Sequence, residues 1–385
     1  MRDPISKKVR GLQPSGIRKF FDLASTMENV VSLGVGEPDF DTPWHIREEG
    51  IYALEKGRTF YTSNSGLLEL REEITKYLKR RFSLEYETGE VLVTVGGSEA
   101  IDIACRVMLD PGDEVIIPEP CFVSYYPCAV MAGATPVRLP LYAKDQFKLT
   151  AERLLSVITE KTKLLVLPFP NNPTGAVMSE DELKTIADIV KKHDIYVLSD
   201  EIYAELTYTG RHASIASLPG MKERTIVING FSKAYAMTGW RLGYACAPVE
   251  IMKQMVKVHQ YEIMCAPTTS QYAAIEAMRN GDGDVEFMRE SYDERRKFLV
   301  HELNEMGLTC FDPGGAFYVF PSIGITHMTS DEFATELLNE QRVAVVPGTA
   351  FGECGEGFLR ISYAYSIENL KFALEKIKLF VDTKR

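Results

Sequence analysis

The sequence lacks the cysteine pattern of a stapled fold. Its seven cysteines, Cys105, Cys121, Cys128, Cys246, Cys265, Cys310 and Cys354, are odd in number and show no CxxC spacing. That argues against a disulfide framework and for a reducing compartment. Positive charge is also scarce: 43 Lys and Arg stand against 54 Asp and Glu, a net charge of -11 with a pI near 5.3. Such a chain is repelled by phosphate backbones and anionic membrane surfaces, so neither nucleic acid nor membrane is an expected partner. Only a small anion, held in a local positive pocket, escapes that exclusion. No apolar run approaches the roughly 18 residues that span a bilayer. The N-terminal MRDPISKKVRGLQPSGIRKFFDLAS carries charge where a secretory signal would carry an apolar core. A soluble, cytoplasmic chain is expected. Tandem repeats, low-complexity tracts and Pro/Gly-rich linkers are missing too. The six histidines are scattered, and HELNE at His301 lacks the second histidine of HExxH, so no metal is expected.

What remains is an average globular composition, 45% hydrophobic and 25% charged over 385 residues. That suits one large folded unit or two domains with a sizeable core. The middle of the chain alternates short apolar runs with amphipathic segments, the mark of an α/β fold with a mainly parallel sheet. Strands are expected over 90–95, 114–118, 163–167, 195–199 and 225–229. Between two of them, SEDELKTIADIVKKH pairs Ser179 with Glu182 as a capping box and lines up Leu183, Ile186, Ala187 and Val190 on one face. The C-terminal third reads as α+β: a long charged helix stopped by Gly307, short strands around GGAFYVF, VAVVP and GFLRISYA, and helices from Asp331 and Ser366. A second, smaller domain is expected there. The expected division is a large domain over 46–283 and a small one formed by 1–45 and 284–385.

Polar residues gather just after the expected strands, where the ligand crevice of an open α/β sheet lies. Val95 is followed by Gly96, Gly97 and Ser98 leading into a helix near Glu99, which can seat one phosphate or be an ordinary tight turn. The Walker pattern and GxGxxG are both absent, which weighs against nucleotide use. PFPNNPTGAV presents Asn171 and Asn172 in a proline-fixed loop. Asp200 ends a buried strand, where it needs a cationic or proton-donating partner or caps the next helix. In NGFSKAYAMTGWRLGYACAP, Lys233 follows a strand inside an apolar, glycine-flanked stretch. Desolvation there lowers its pKa and makes the amine a nucleophile. Ser232 and Arg241 flank it, and both can ligate phosphate. Each part alone has an ordinary structural explanation. An amine, a phosphate seat, a carboxylate and a tyrosine together meet the needs of pyridoxal 5'-phosphate.

The motifs SLGVGEPDF, YTSNSG, NNPTG, SDEIY, FSKAYAMTGWRLG and GEGFLRISYA occur in this order from residue 32 to 364. In them the chain resembles the fold-type I pyridoxal-phosphate aminotransferases of class I/II. The resemblance implies a large domain with a mainly parallel, seven-stranded-type sheet sandwiched by helices, and a smaller α+β domain. It implies that Lys233 holds the cofactor as an internal aldimine and acts as the catalytic base, with Asp200 at the pyridinium nitrogen. Asn172 and Tyr203 would hydrogen-bond the ring's phenolic oxygen, and Phe122 would stack on the ring. Gly97, Ser98, Ser232 and Arg241 would bind the phosphate, joined by Tyr61 from a neighbouring subunit, hence a homodimer with shared sites. Arg360 would clamp the substrate α-carboxylate, with Gly36 and Asn172 beside it.

The activity implied is ping-pong transfer of an α-amino group from an amino acid to a 2-oxo acid, with 2-oxoglutarate as acceptor. The pattern is closest to the aromatic and broad aspartate/aromatic subgroup. One aspartate-using branch has a lysine where Ser98 stands, which weakens a strictly aspartate assignment. Arg18 is a candidate replacement cation, though a solvated helix charge is the simpler reading. N-acetyl-LL-diaminopimelate aminotransferases are similar enough to stay open. Carbon–sulfur lyases share the lysine. Cys121, Met237 and Trp240 are expected as packing residues.

Overall fold

The computed structural model describes residues 2–14, 16–17 and 27–385. Arg18 lies outside the described residues. Seven strands build the central sheet: β1 (Val91–Thr94), β2 (Glu114–Glu119), β3 (Thr135–Pro140), β4 (Thr162–Leu167), β5 (Tyr196–Asp200), β6 (Thr225–Gly230) and β7 (Gly243–Cys246). Their spatial order is β1-β7-β6-β5-β4-β2-β3. All neighbours pair in parallel except β7, which is antiparallel to both β1 and β6. The mixed α/β architecture with a mostly parallel sheet flanked by helices is the one expected. Central strands such as β4 and β6 are buried almost throughout, which is why they appear in the sequence as unbroken apolar runs rather than alternating ones.

Two strands of this sheet were not expected. β3, TPVRLP, carries two prolines and lies at the sheet edge, where a missing N–H is tolerated. β7 is four residues long and hidden inside the FSKAYAMTGWRLGYACAP stretch. The helix after β1, α1 (Gly96–Met108), starts three residues earlier than Glu99, so Gly97 and Ser98 belong to its first turn.

The helix of the capping box, α2 (Glu180–Lys192), forms as expected. Ser179 and Glu182 exchange their reciprocal hydrogen bonds, and Leu183, Ile186, Ala187 and Val190 are buried. The long charged helix α3 (Asp282–Glu305) ends just before Gly307, whose φ of +77° no ordinary side chain adopts without strain. Beyond it, β8 (Tyr318–Val319), β9 (Val346–Pro347) and β10 (Leu359–Ser362) form a three-stranded antiparallel sheet in the order β9-β10-β8. A helix over Ser330–Gln341 starts on its own capping box, Thr329 with Glu332, and α4 (Ile367–Lys384) on the Ser366 cap. Val31–Ser32 pairs in parallel with Val343–Ala344 in a separate two-stranded sheet, and Leu33 O accepts from Ser362 N–H at 2.8 Å, which ties this N-terminal segment to the end of β10. The short helix Lys7–Arg10 instead lies against the turn of helix that includes Met131, whose carbonyl accepts from Lys8 Nζ. Among the described residues no helix is long and apolar enough to cross a membrane.

Candidate active site

A cavity of about 300 Å³ opens at the carboxyl edge of the central sheet, facing the second sheet. The parallel strands deliver residues there from their ends: Phe122 beyond β2, Asn172 beyond β4, Asp200 at the end of β5, and Ser232 and Lys233 beyond β6. Because β7 runs the other way, its start lies at that edge and brings Arg241. The second sheet contributes Tyr318 from β8 and Arg360 from β10, and the N-terminal segment contributes Gly36. Thus Gly36, Gly97, Ser98, Phe122, Asn172, Asp200, Tyr203, Ser232, Lys233, Arg241 and Arg360 all line one space. Tyr61 does not; it is 79% exposed on the surface.

The anion seat is shaped by close backbone contacts. Gly96 has φ +76°, and a Cβ there would stand 2.8 Å from Arg241 Nη2. A Cβ on Gly243 would meet the Gly96 carbonyl carbon at 2.7 Å and Gly97 N at 2.8 Å. Only glycine lets β7 approach the first turn of α1 so closely. That turn, at the positive end of the helix dipole, lines the cavity together with Ser98, Ser232 and Arg241. Arg241 itself holds φ +53°, a left-handed conformation rare outside glycine, and its Nη1 donates to Thr238 O at 2.9 Å. Strain of this kind persists where surrounding contacts fix the side chain's direction.

Lys233 Nζ donates to Gly36 O at 2.6 Å. Burial is the largest influence on the amine and pushes its pKa down to about 8. The guanidinium groups of Arg360 and Arg241 push the same way, and Glu37 opposes them. Among the described residues no carboxylate forms an ion pair with it. The amine is therefore neutral in a large fraction of molecules a little above neutral pH.

Asp200 is 6% exposed and makes no ion pair among the described residues. Its Oδ2 accepts from the Tyr125 hydroxyl at 2.6 Å and its Oδ1 from Ile202 N–H at 3.2 Å. Burial raises its pKa, partly offset by these two donors. The partner expected from the sequence is thus the proton-donating one, and the chain after Asp200 forms a turn rather than a helix.

Arg360, 3% exposed, donates from Nη1 to Asn172 Oδ1 at 3.1 Å and from Nη2 to Gly34 O, and it stacks over Tyr318 at 4.6 Å and Phe351 at 4.8 Å. Its Nε is buried without a partner among the described residues, and burial lowers its pKa. A buried guanidinium with no carboxylate beside it among the described residues has the chemistry to receive an anion. Tyr203 and Tyr318 share a hydroxyl–hydroxyl bond of 2.8 Å, and burial raises the pKa of both.

Tyr125 and Tyr318 were not singled out from the sequence. Tyr125 follows Phe122 by three residues and makes an edge contact with it, a proximity that one helical turn in EPCFVSYY could have suggested. Tyr318 belongs to a distant strand, and no local signal points to it. Cys121 and Met237 are buried outside the cavity, and Trp240 packs with its Nε1 donating to Thr42 at 3.0 Å.

Comparison with known proteins bears on this geometry. Residues 28–377 match the family model described as aminotransferase class I and II. An aspartate aminotransferase of Pyrococcus abyssi is 47% identical over 385 residues, covering 99% of both chains. A Bacillus subtilis protein named a probable N-acetyl-LL-diaminopimelate aminotransferase is 45% identical over 386 residues, covering 100% of this chain and 98% of its own. The crystal structure of an aromatic aminotransferase from Pyrococcus horikoshii OT3 superposes with a TM-score of 0.91 at 47% identity, over 95% of this chain and 99% of that one.

Proposed function

The chain belongs to the class I and II aminotransferases, and from that premise we propose that it is a pyridoxal 5'-phosphate enzyme. In this reading it moves the α-amino group of an aromatic amino acid or aspartate to a 2-oxo acid, 2-oxoglutarate first among them, by a ping-pong sequence. The observation that carries the proposal is the combination in one cavity of a lysine amine with a pKa near 8, a buried carboxylate without a cation among the described residues, and a glycine-built turn beside Arg241.

These residues fit the cofactor. Asp200 offers a negative charge that nothing cationic among the described residues satisfies, which suits a protonated ring nitrogen. The Gly97 and Ser98 turn, Ser232 and Arg241 would hold the phosphate, with Tyr61 of the partner subunit completing the seat. Phe122 would lie against the ring, and Asn172 and Tyr203 would hydrogen-bond its phenolic oxygen. When bound, pyridoxal phosphate supplies an electron sink that acidifies the substrate Cα–H. The chain's own residues do the rest. Arg360 binds and orients the α-carboxylate, with Gly36 and Asn172 beside it. Lys233, whose amine burial brings toward neutral pH, would take the proton from the substrate Cα onto Nζ and hold it there for its return. Asp200 would pair with the ring nitrogen and favour its protonated form.

Apolar walls from Ile101, Ile202 and Tyr318 support an aromatic donor. The cations in the cavity among the described residues, Lys233, Arg241 and Arg360, each have a task in this reading. A second reading, use of an acylated diaminopimelate, rests on the 45% identical relative of that name. The proposed division is a large unit over 46–283 and a small one from 1–45 and 284–385. A homodimer is supported by exposed Phe60, Tyr61 and Tyr261, at 81%, 79% and 84%. Segments 60–64 and 264–268 are joined by hydrogen bonds from Thr268 to Phe60 O and from Asn64 to Met264 O. Seven unpaired cysteines support a reducing, cytoplasmic setting.

The test supplies the loaded protein with one amino acid at a time, without acceptor, and measures 2-oxo acid released per site. Release of one equivalent, faster from phenylalanine or tyrosine than from aspartate, supports the reading. Reaction with an acylated diaminopimelate alone replaces it by the second. Continued release of pyruvate and ammonia without acceptor marks a carbon–sulfur lyase and overturns both.

A further inference from the structure

Behind the anion seat lies a buried pair that the proposed reaction leaves unused. Glu99, in the first turns of α1, turns its side chain back so that Oε2 accepts from the N–H of Val95, the residue that precedes the helix. Its Oε1 lies 2.8 Å from His259 Nδ1. His259 sits on the helix Val249–Glu262 and is fully buried, while the Glu99 side chain is 13% exposed. The other ring nitrogen, Nε2, has no hydrogen-bond partner among the described residues. The contact with Glu99 is therefore the ring's one polar engagement there, and the tautomer with its proton on Nδ1 is the one that can donate to the carboxylate. The remaining charges nearby are committed to each other: Arg106 bonds Asp102 at 2.6 Å and Glu262 at 3.3 Å.

A carboxylate in this place has two opposed effects. Its bond to Val95 N–H, the N-cap residue, staples the strand-to-helix turn from one turn further along and so fixes the direction of the Gly97 and Ser98 N–H groups. Its negative charge, left bare, would repel a second anion at the same helix terminus. A ring N–H donor aimed at the far oxygen draws that charge away from the seat. We propose that Glu99 and His259 act together as positioning residues for the phosphate seat, one setting the geometry of the turn and the other masking the charge this requires. The inference rests on the cofactor reading proposed for this cavity.

The test compares the affinities of the apoprotein for pyridoxal 5'-phosphate and for pyridoxal, which lacks the phosphate. Their ratio reports the seat and nothing else. Glu99→Ala and His259→Leu should each shrink that ratio roughly tenfold, with the affinity for pyridoxal held within about twofold. Glu99→Gln keeps the acceptor for Val95 and sheds the charge, so it should hold the wild-type ratio, and adding it to His259→Leu should restore the ratio. Unchanged ratios in Glu99→Ala and His259→Leu overturn the proposal, as does an equal loss for both ligands, the mark of a merely structural role. Should Glu99→Ala not fold, His259→Leu with and without Glu99→Gln decides alone. A wild-type protein that binds neither compound would instead sink the cofactor reading itself.

Discussion

The Tyr125 hydroxyl donates to Asp200 Oδ2 at 2.6 Å, and that carboxylate has no cation beside it among the described residues. A buried carboxylate in such a place holds its proton more firmly than usual, and burial indeed raises the Asp200 pKa. A bound cation would reverse that. We expect Asp200→Asn to lower transamination roughly 100- to 1,000-fold, as removal of a preorganised electrostatic partner does. Tyr125→Phe, which removes only the donor, should cost about tenfold. Comparison of kcat for the two variants with the wild type checks this; equal losses would mean that the carboxylate acts through Tyr125 alone.

Lys233 gives a prediction about stability. Its folded pKa, about 8, lies below the ordinary 10.5. Below pH 8 the ammonium is buried in the folded apoprotein and destabilises it fully. As pH rises from 8 to 10.5 the folded state sheds its proton before the unfolded one, and the destabilisation disappears. Lys233→Met should therefore melt higher than the wild-type apoprotein at pH 7, with the gap closing toward pH 10.5. Thermal melts across that range test it; a constant gap would contradict the burial argument.

Arg360 is buried, stacked on two aromatic rings and held from two sides. Arg360→Ala should raise KM for the amino acid roughly 100-fold, the loss of a charged, two-pronged contact. Arg360→Lys should recover little of it, because a point charge cannot reproduce the fork. Steady-state kinetics on both variants decide. Full recovery by lysine would show that charge alone matters.

Gly96 combines φ +76° with Arg241 Nη2 only 2.8 Å from where a Cβ would stand. Gly96→Ala should destabilise the protein by about 1–3 kcal/mol through backbone strain. It should also weaken pyridoxal phosphate binding more than pyridoxal binding, since the displaced guanidinium belongs to the proposed phosphate seat. Denaturant unfolding and two binding titrations measure the two effects separately.

Much of this was legible in the sequence, for local reasons. The capping box at Ser179 and Glu182, the glycine stop at Gly307 and the buried runs of β4 and β6 are short-range signals, and each element formed where the residues imply. The edge strand β3 was not legible, because its prolines signal a loop unless its edge position is known. The site residues on strand ends were readable as polar groups following apolar runs. Tyr318 and the Tyr125 bond were not: the first reaches the cavity through the packing of a second sheet, and the second depends on a side chain reaching 75 residues along the chain. The pairing of Glu99 with His259, 160 residues apart, is hidden for the same reason.

The central claim is that one amine, Lys233, captures the cofactor's aldehyde. Borohydride reduction of the protein loaded with pyridoxal phosphate, followed by peptide mapping, tests it most directly. A stable phosphopyridoxyl group on Lys233, absent from Lys233→Ala, is the expected result. The group on another lysine, or no covalent group at all, would contradict the account.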